Sequence, residues 1–180
     1  HYSSRRQRQM CIRDRSTCSH LMGISQNQIV KSMKEFKGVE HRLEYVRTIN
    51  EADYINDSKA TNIDSVIVAI NTYKQPIVLI LGGFNKGVNF RLLLPHIKSS
   101  HVRDIVSYGD AGGQINTALG DAVRSVQVTD LSSAVKKAQL MAAPGDIVLL
   151  SPGCASYDEF SNFEERGNHF KSIIKNLAAS

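Results

Sequence analysis

Four stretches of this 180-residue chain carry side chains suited to holding an anion. Ile55 to Asn62, INDSKATN, sets a carboxylate (Asp57), an ammonium (Lys59) and a hydroxyl (Thr61) close together. Thr61 or Asn62 would cap a following helix, whose free N–H groups favour negative charge. The same residues also read as ordinary turn and cap residues with Lys59 solvated. Gly82 to Gly87, GGFNKG, follows an apolar run. Its paired glycines allow close backbone approach, and Lys86 offers a point charge for a carboxylate or phosphate; a glycine turn with an exposed lysine fits as well. Neither GxxxxGK followed by Ser or Thr nor GxGxxG occurs in the chain, so this loop is no P-loop or dinucleotide fingerprint.

The third stretch, Leu149 to Gly167, is LLSPGCASYDEFSNFEERG. An apolar strand runs into Ser-Pro-Gly, and a helix is expected from near Ser156, with Asp158 and Glu159 in its first turn. The amides of Ser156 and Tyr157 and the Ser156 hydroxyl would then face a carboxylate. Phe160 reads as core, and Phe163 reads either as core or as a pocket wall. Cys154 has no histidine placed to activate it and reads as a small buried residue. Fourth, His41-Arg42 offers a planar guanidinium able to grip phosphate bidentately, or a plain surface arginine. His20, His96, His101 and His169 show no metal-ligand spacing.

The elements that must position these residues alternate. A capping-box pattern at Ser25 and Gln28 opens a helix over 25–36, with Ile29, Val30, Met33 and Phe36 on one face. Strands are expected at Leu43–Ile49, Tyr54–Asn56, Ile77–Leu81, Val102–Tyr108, Val123–Val128 and Ile147–Leu150, the first two joined by a turn over residues 50–53. Helices are expected at Asn62–Tyr73, Phe90–Ser99, Gly113–Leu119, Leu131–Ala142 and Asp158–Leu177. Continuously apolar strands between helices predict an α/β fold with an open, mostly parallel, doubly wound Rossmann-like sheet. Ligands of such sheets lie beyond the C-terminal strand ends, which singles out the loops after the strands.

Composition narrows the function classes. Hydrophobic residues at 42% and charged residues at 22% fit a globular domain, and no apolar run reaches the roughly 20 residues of a membrane helix. Three cysteines at unrelated spacings, Cys11, Cys18 and Cys154, make neither a disulfide framework nor a zinc site, so a cytoplasmic setting is expected. The five arginines within residues 1–15, less Asp14, supply +4 of the net charge of +5. That segment can be back-translated into a sequence resembling a transposase-type sequencing adapter. Residues 1–15 are therefore read as translated adapter and disordered, rather than as a basic tail for nucleic acid or lipid. No nucleic-acid or membrane partner is expected.

In their order and spacing, HRLEYV, YINDSKATN, LILGGFNKGVNF and VLLSPGCASYDEFSNFEERGNHF resemble the successive signatures of the MurD family's C-terminal domain. The resemblance runs from about Lys37 to the end of the chain. Gly153 stands where alanine is usual in that family, and Tyr157 where a smaller or different apolar residue is common. By the same resemblance, residues 16–36 form the last helix of a central ATPase domain and 37–180 the Mur ligase C-terminal domain.

The resemblance implies an ATP-dependent ligase of peptidoglycan synthesis that joins D-glutamate to UDP-N-acetylmuramoyl-L-alanine through an acyl phosphate. Lys86 would pair with a D-glutamate carboxylate, Thr61, Ser156 and Tyr157 would hydrogen-bond it, and Phe163 would wall the pocket. Arg42, Asp57 and Lys59 would face the nucleotide, Asp57 accepting from a ribose hydroxyl. ATP and Mg2+ are the implied cofactors. The Mg2+ ligands lie mainly in the central domain, leaving no catalytic or metal residue in this chain beyond substrate positioning. The chain alone is expected to fold as a monomer and not to ligate. The alternatives are another Mur or folylpolyglutamate synthase-like ligase domain and a stand-alone α/β anion-binding module.

Overall fold

The computed structural model describes residues 13–36 and 38–177. The chain divides into two compact units after Gly38. In the first, residues 13–21 are helical (α1), and Gln26–Glu35 forms α2. The capping box forms as read: Ser25 Oγ accepts from the Gln28 amide, and Gln28 Oε1 accepts from the Ser25 amide at 3.1 Å. α2 buries none of its residues. Most of the segment read as adapter lies outside the described residues, but residues 13–15 belong to α1.

The second unit holds a six-stranded sheet in the order β1-β2-β6-β3-β4-β5. Its strands are β1 (Glu44–Ile49), β2 (Ala52–Asn56), β3 (Ile77–Gly82), β4 (Val102–Tyr108), β5 (Arg124–Gln127) and β6 (Ile147–Gly153). β1 pairs antiparallel with β2, and every other pairing is parallel. The turn between β1 and β2 is tighter than the sequence suggested. Asn50 and Glu51 both take positive φ, 49° and 60°, the geometry of a two-residue hairpin turn, while Ala52 and Asp53 already pair with β1.

β3 and β6 are buried along their whole lengths because helices cover both faces. Along β3, alternate residues feed two cores. Ile77, Leu79 and Leu81 face Val66 and Ile70 of α3 (Ile63–Ile70) and Ile115 of α5 (Gly112–Leu119). Val78 and Ile80 face Val135 of α6 (Leu131–Met141) and Phe170 and Ile174 of α7 (Phe163–Asn176). The expected helix over Phe90–Ser99 is a 3-10 turn, Phe90–Leu93, running into α4 (Leu94–Ser99), with Pro95 in the first turn where its missing N–H costs nothing. None of the described helices is long and apolar enough to cross a membrane.

The last helix departs from expectation. α7 begins at Phe163, not Asp158, capped by Asn162, whose side chain accepts from the Glu165 amide at 2.7 Å. Asp158 and Glu159 are not first-turn residues. Asp158 Oδ2 accepts from the Asp110 amide, and both Glu159 oxygens accept from the Leu131 amide at 3.2 Å, closing the start of α6. The register aligns the C-terminal ends of four neighbouring strands: Asn56 pairs Leu150, Ile80 pairs Leu150, and Gly82 pairs Tyr108. The loops that follow β2, β6, β3 and β4 therefore share one rim.

Candidate functional site at the strand ends

After β2 the chain turns at once. Asn56, fully buried, accepts from the Ser58 amide at 3.2 Å with Oδ1 and points Nδ2 at His41 Nδ1 (3.0 Å) and Glu44 Oε2 (2.9 Å). With Oδ1 engaged by an N–H, Nδ2 is the donor, so His41 Nδ1 accepts and its proton sits on Nε2. His41 itself is buried with φ at 61°, a strained conformation for a residue with a Cβ. Its carbonyl accepts from the Lys59 amide at 3.0 Å, placing Arg42 and Lys59, both exposed, next to one another in space.

Asp57 is held by the fold on both carboxylate oxygens. It is 4% exposed; Oδ1 accepts from the Leu43 amide at 3.2 Å and Oδ2 from Ser151 Oγ at 2.9 Å. The carboxylate thus ties the segment carrying Arg42 to β6. Asn62, not Thr61, caps α3, accepting from the Ser65 amide at 2.9 Å and leaving Thr61 exposed.

The β3 loop is held from both sides. Phe84 N–H donates to the Ala155 carbonyl at 2.9 Å, and Asn85 Oδ1 accepts from the Val88 amide at 2.6 Å. These bonds shape a turn with exposed Lys86 at its tip, its ammonium 4.8 Å from the centroid of the Tyr157 ring. The pairing repeats nearby, with Lys59 Nζ 5.0 Å from the Phe163 ring. An aromatic face attracts each cation without neutralising it. Among the described residues, Arg42, Lys59 and Lys86 are in no ion pair, so all three charges remain free for an anion.

The β6 loop supplies the donors. Ser156 is buried and Tyr157 is 61% exposed. The Ser156 carbonyl accepts from the Phe160 amide at 2.8 Å, closing a single turn at 156–160 rather than the start of a helix. Neither the Ser156 nor the Tyr157 amide donates to another group among the described residues. Phe163 is half-buried at the start of α7, edge-on to the His41 ring at 6.1 Å, while half-buried Phe160 packs against the core under α6 and α7.

One residue escaped the sequence reading. Arg166, on α7, is the largest fully buried side chain and reaches the loops after both β2 and β6. The adjacent Gly167 was the available signal, because glycine inside a helix marks close approach. A Cβ there would overlap the His41 ring.

The chemistry of a hard divalent cation, which wants six or more oxygen ligands, is not met by the cluster best placed to attract one. Glu40, His41 and Glu44 offer ligand atoms within 4.8 Å of one another. Lys171 Nζ already bonds Glu40 Oε1 and Glu44 Oε1, so an ammonium fills the cation's place. The exposed Arg42 and Lys59 do fit a polyphosphate. Cys154 is no nucleophile here: burial pushes its thiol up to about 12, so almost none is thiolate at neutral pH. Iodoacetamide under native conditions should therefore alkylate the exposed Cys18 and spare Cys154, read by peptide mass spectrometry. Comparable labelling of both would show the β6 loop to be open.

Fold and rim together define an open α/β domain with exposed cations and unspent amides grouped beyond its strand ends. Residues 41–154, more than half of the chain, match the family described as Mur ligase, glutamate ligase domain, and the chain belongs to that family. Among curated proteins it is similar to UDP-N-acetylmuramoylalanine–D-glutamate ligase of Chloroherpeton thalassium, 44% identical over 156 residues that cover 87% of this chain and 33% of that one. The chain thus spans about a third of the length of that relative. The fold is shared with UDP-N-acetylmuramate-alanine ligase of Thermotoga maritima (TM-score 0.66, 15% identity, 88% of this chain and 35% of that one). It is also shared with the bifunctional folylpolyglutamate synthase/dihydrofolate synthase of Yersinia pestis complexed with AMPPNP and Mn ion (TM-score 0.60, 16% identity, 83% and 35%).

Proposed function

We propose that this domain seats D-glutamate, beside the phosphate end of ATP, for ligation to UDP-N-acetylmuramoyl-L-alanine in peptidoglycan synthesis. The observation that carries the reading is the convergence on one rim of an unpaired Lys86 ammonium and the unspent amides of Ser156 and Tyr157, next to exposed Arg42 and Lys59. D-Glutamate brings two carboxylates. Lys86 neutralises one of them, while the Ser156 and Tyr157 amides and the Thr61 hydroxyl supply aimed donors. Phe163 closes one side of the pocket. Arg42 grips phosphate oxygens in the plane of its guanidinium, and Lys59 adds a point charge.

Asp57 serves Arg42 rather than a ribose, through its bond to the Leu43 amide. ATP supplies a phosphoryl group to the precursor's carboxylate, creating the leaving group that the amine of D-glutamate displaces. The domain's contribution is to hold that amine in line and to offset the dianion's charge. Among the described residues the Glu40–His41–Glu44 cluster already holds the Lys171 ammonium, so none of these roles is routed through a metal. The 44% identity with a D-glutamate ligase favours this reading over a folylpolyglutamate synthase-like one, which has only a shared fold behind it.

Titrating the isotope-labelled chain with D-glutamate should shift the Thr61, Ser156 and Tyr157 amide resonances saturably. L-Glutamate should shift them less. Lys86→Ala should weaken the D-glutamate response about tenfold or more, the weight of one charge-assisted contact. Equal responses to both enantiomers, or a Lys86→Ala variant indistinguishable from wild type, would exclude the assignment.

A further inference from the structure

The anion seat is divided between two loops with few direct ties: past the ladder, the Gly153 amide donates to the Ala60 carbonyl at 2.8 Å and Ser151 Oγ to Asp57 Oδ2 at 2.9 Å. Lys59 and Thr61 follow β2, Ser156 and Tyr157 follow β6, and the ladder between those strands ends at Asn56 and Leu150. Beyond that pair, a side chain from α7 bridges them. Arg166 Nε donates to Ser58 Oγ at 3.0 Å and Nη2 to the Ser58 carbonyl at 2.8 Å. Nη1 donates to the carbonyls of Cys154 at 3.1 Å and Ala155 at 3.0 Å. Ser58 is the neighbour of Lys59, and Ala155 the neighbour of Ser156.

Two features make this more than a packing contact. The guanidinium is 1% exposed, yet no carboxylate lies within 4.0 Å of it among the described residues. Burying a cation among neutral carbonyls is costly, and an apolar side chain would fill the same space at lower cost. The second feature is direction. In a trans peptide the N–H points opposite to the C=O, and no peptide bond among the described residues is cis. The Ala155 carbonyl aimed at Arg166 therefore turns the Ser156 N–H away from the guanidinium. The Ser58 carbonyl aimed at Arg166 likewise turns the Lys59 N–H toward His41, beside Arg42.

We propose that Arg166 is the positioning residue of the anion seat, fixing the spacing of the two loops and aiming the Ser156 and Lys59 amides through the carbonyls it holds. The proposal rests on reading the rim as a dianion seat, and it adds a residue that touches no ligand.

Arg166→Lys keeps the charge, but an ammonium radiates its donors from one atom and cannot span acceptors on both loops. With far-UV circular dichroism unchanged, its D-glutamate affinity should fall by about tenfold or more. Without ligand, amide resonances of both 58–61 and 155–157 should move together, whereas Lys86→Ala leaves 58–61 in place. In Arg166→Ala, methylguanidinium should restore both resonance sets and binding, and methylammonium should not. Affinity within about twofold of wild type in Arg166→Lys, or shifts confined to one loop, would overturn the proposal. If wild type binds no D-glutamate, the dianion reading falls on its own, and the ligand-free shifts still decide whether Arg166 couples the loops.

Discussion

Gly83→Ala should cost the domain about 3 kcal/mol or more of unfolding free energy, from two sources that add. Gly83 has φ at 120°, a conformation an L side chain reaches only under strain. An added Cβ would also overlap the Ala155 carbonyl oxygen and press on Arg166 Nη1. That oxygen cannot retreat cheaply, because it accepts from Phe84 N–H at 2.9 Å and from Arg166 at 3.0 Å. Relaxation would give up a charge-assisted hydrogen bond inside the protein, typically about 1.5–3 kcal/mol. Gly87 is the internal control. Its φ is 86°, but nothing lies within 4 Å of a Cβ there, so Gly87→Ala should lose only about 1–2 kcal/mol of backbone strain. Urea unfolding of both variants separates them. Equal losses would mean that the loop after β3 does not rest on the loop after β6.

The architecture was legible because the signals were redundant. The runs Ile77–Leu81 and Ile147–Leu150 are apolar at every position, as a sheet covered on both faces permits, and α3 and α6 carry their own caps at Asn62 and Asp130. The loops carrying Lys59, Lys86 and Ser156 followed from where strands of that kind end. The parts that misled were carboxylates whose partners lie far away in sequence. Asp158 and Glu159 look like first-turn acids, but their hydrogen bonds run to Asp110 and Leu131, and the real start was written as Asn162-x-x-Glu165. For Asp57 the residues alone suggest a turn or cap, and only the family resemblance gives it a nucleotide to face. Its satisfaction by Leu43 and Ser151 depends on the hairpin and on β6, neither of which a local reading places. Arg166 was hidden in much the same way, with Gly167 beside it the one local sign of close approach. Within FEERGNHF it resembles the polar face of an amphipathic helix, and the three-dimensional fold is what turns it inward.

Gly167→Ala should reverse the usual sign of a glycine-to-alanine change in a helix. Within a helix that change ordinarily gains about 1 kcal/mol. Here the added Cβ would drive into the buried His41 ring, nearest to Nδ1, the atom facing Asn56 Nδ2. Expelling the ring frees a strained residue but abandons the contacts of Asn56 and leaves Arg42 without its anchor, for a net loss of roughly 2–4 kcal/mol. Asn56→Leu attacks the same network from the sheet. It strips the Ser58 amide of its acceptor and His41 of its donor, two buried groups at about 1–3 kcal/mol each. Because both variants sacrifice the His41–Asn56 contact, the double variant should fall short of the sum of the singles by about 1 kcal/mol or more. Additivity within about 0.5 kcal/mol would mean that the two sites act independently and that His41 is not the piece joining α7 to β2. Arg42 follows His41 in the chain. Nucleotide affinity should therefore drop in both singles, and the double should bind no more weakly than the worse of them.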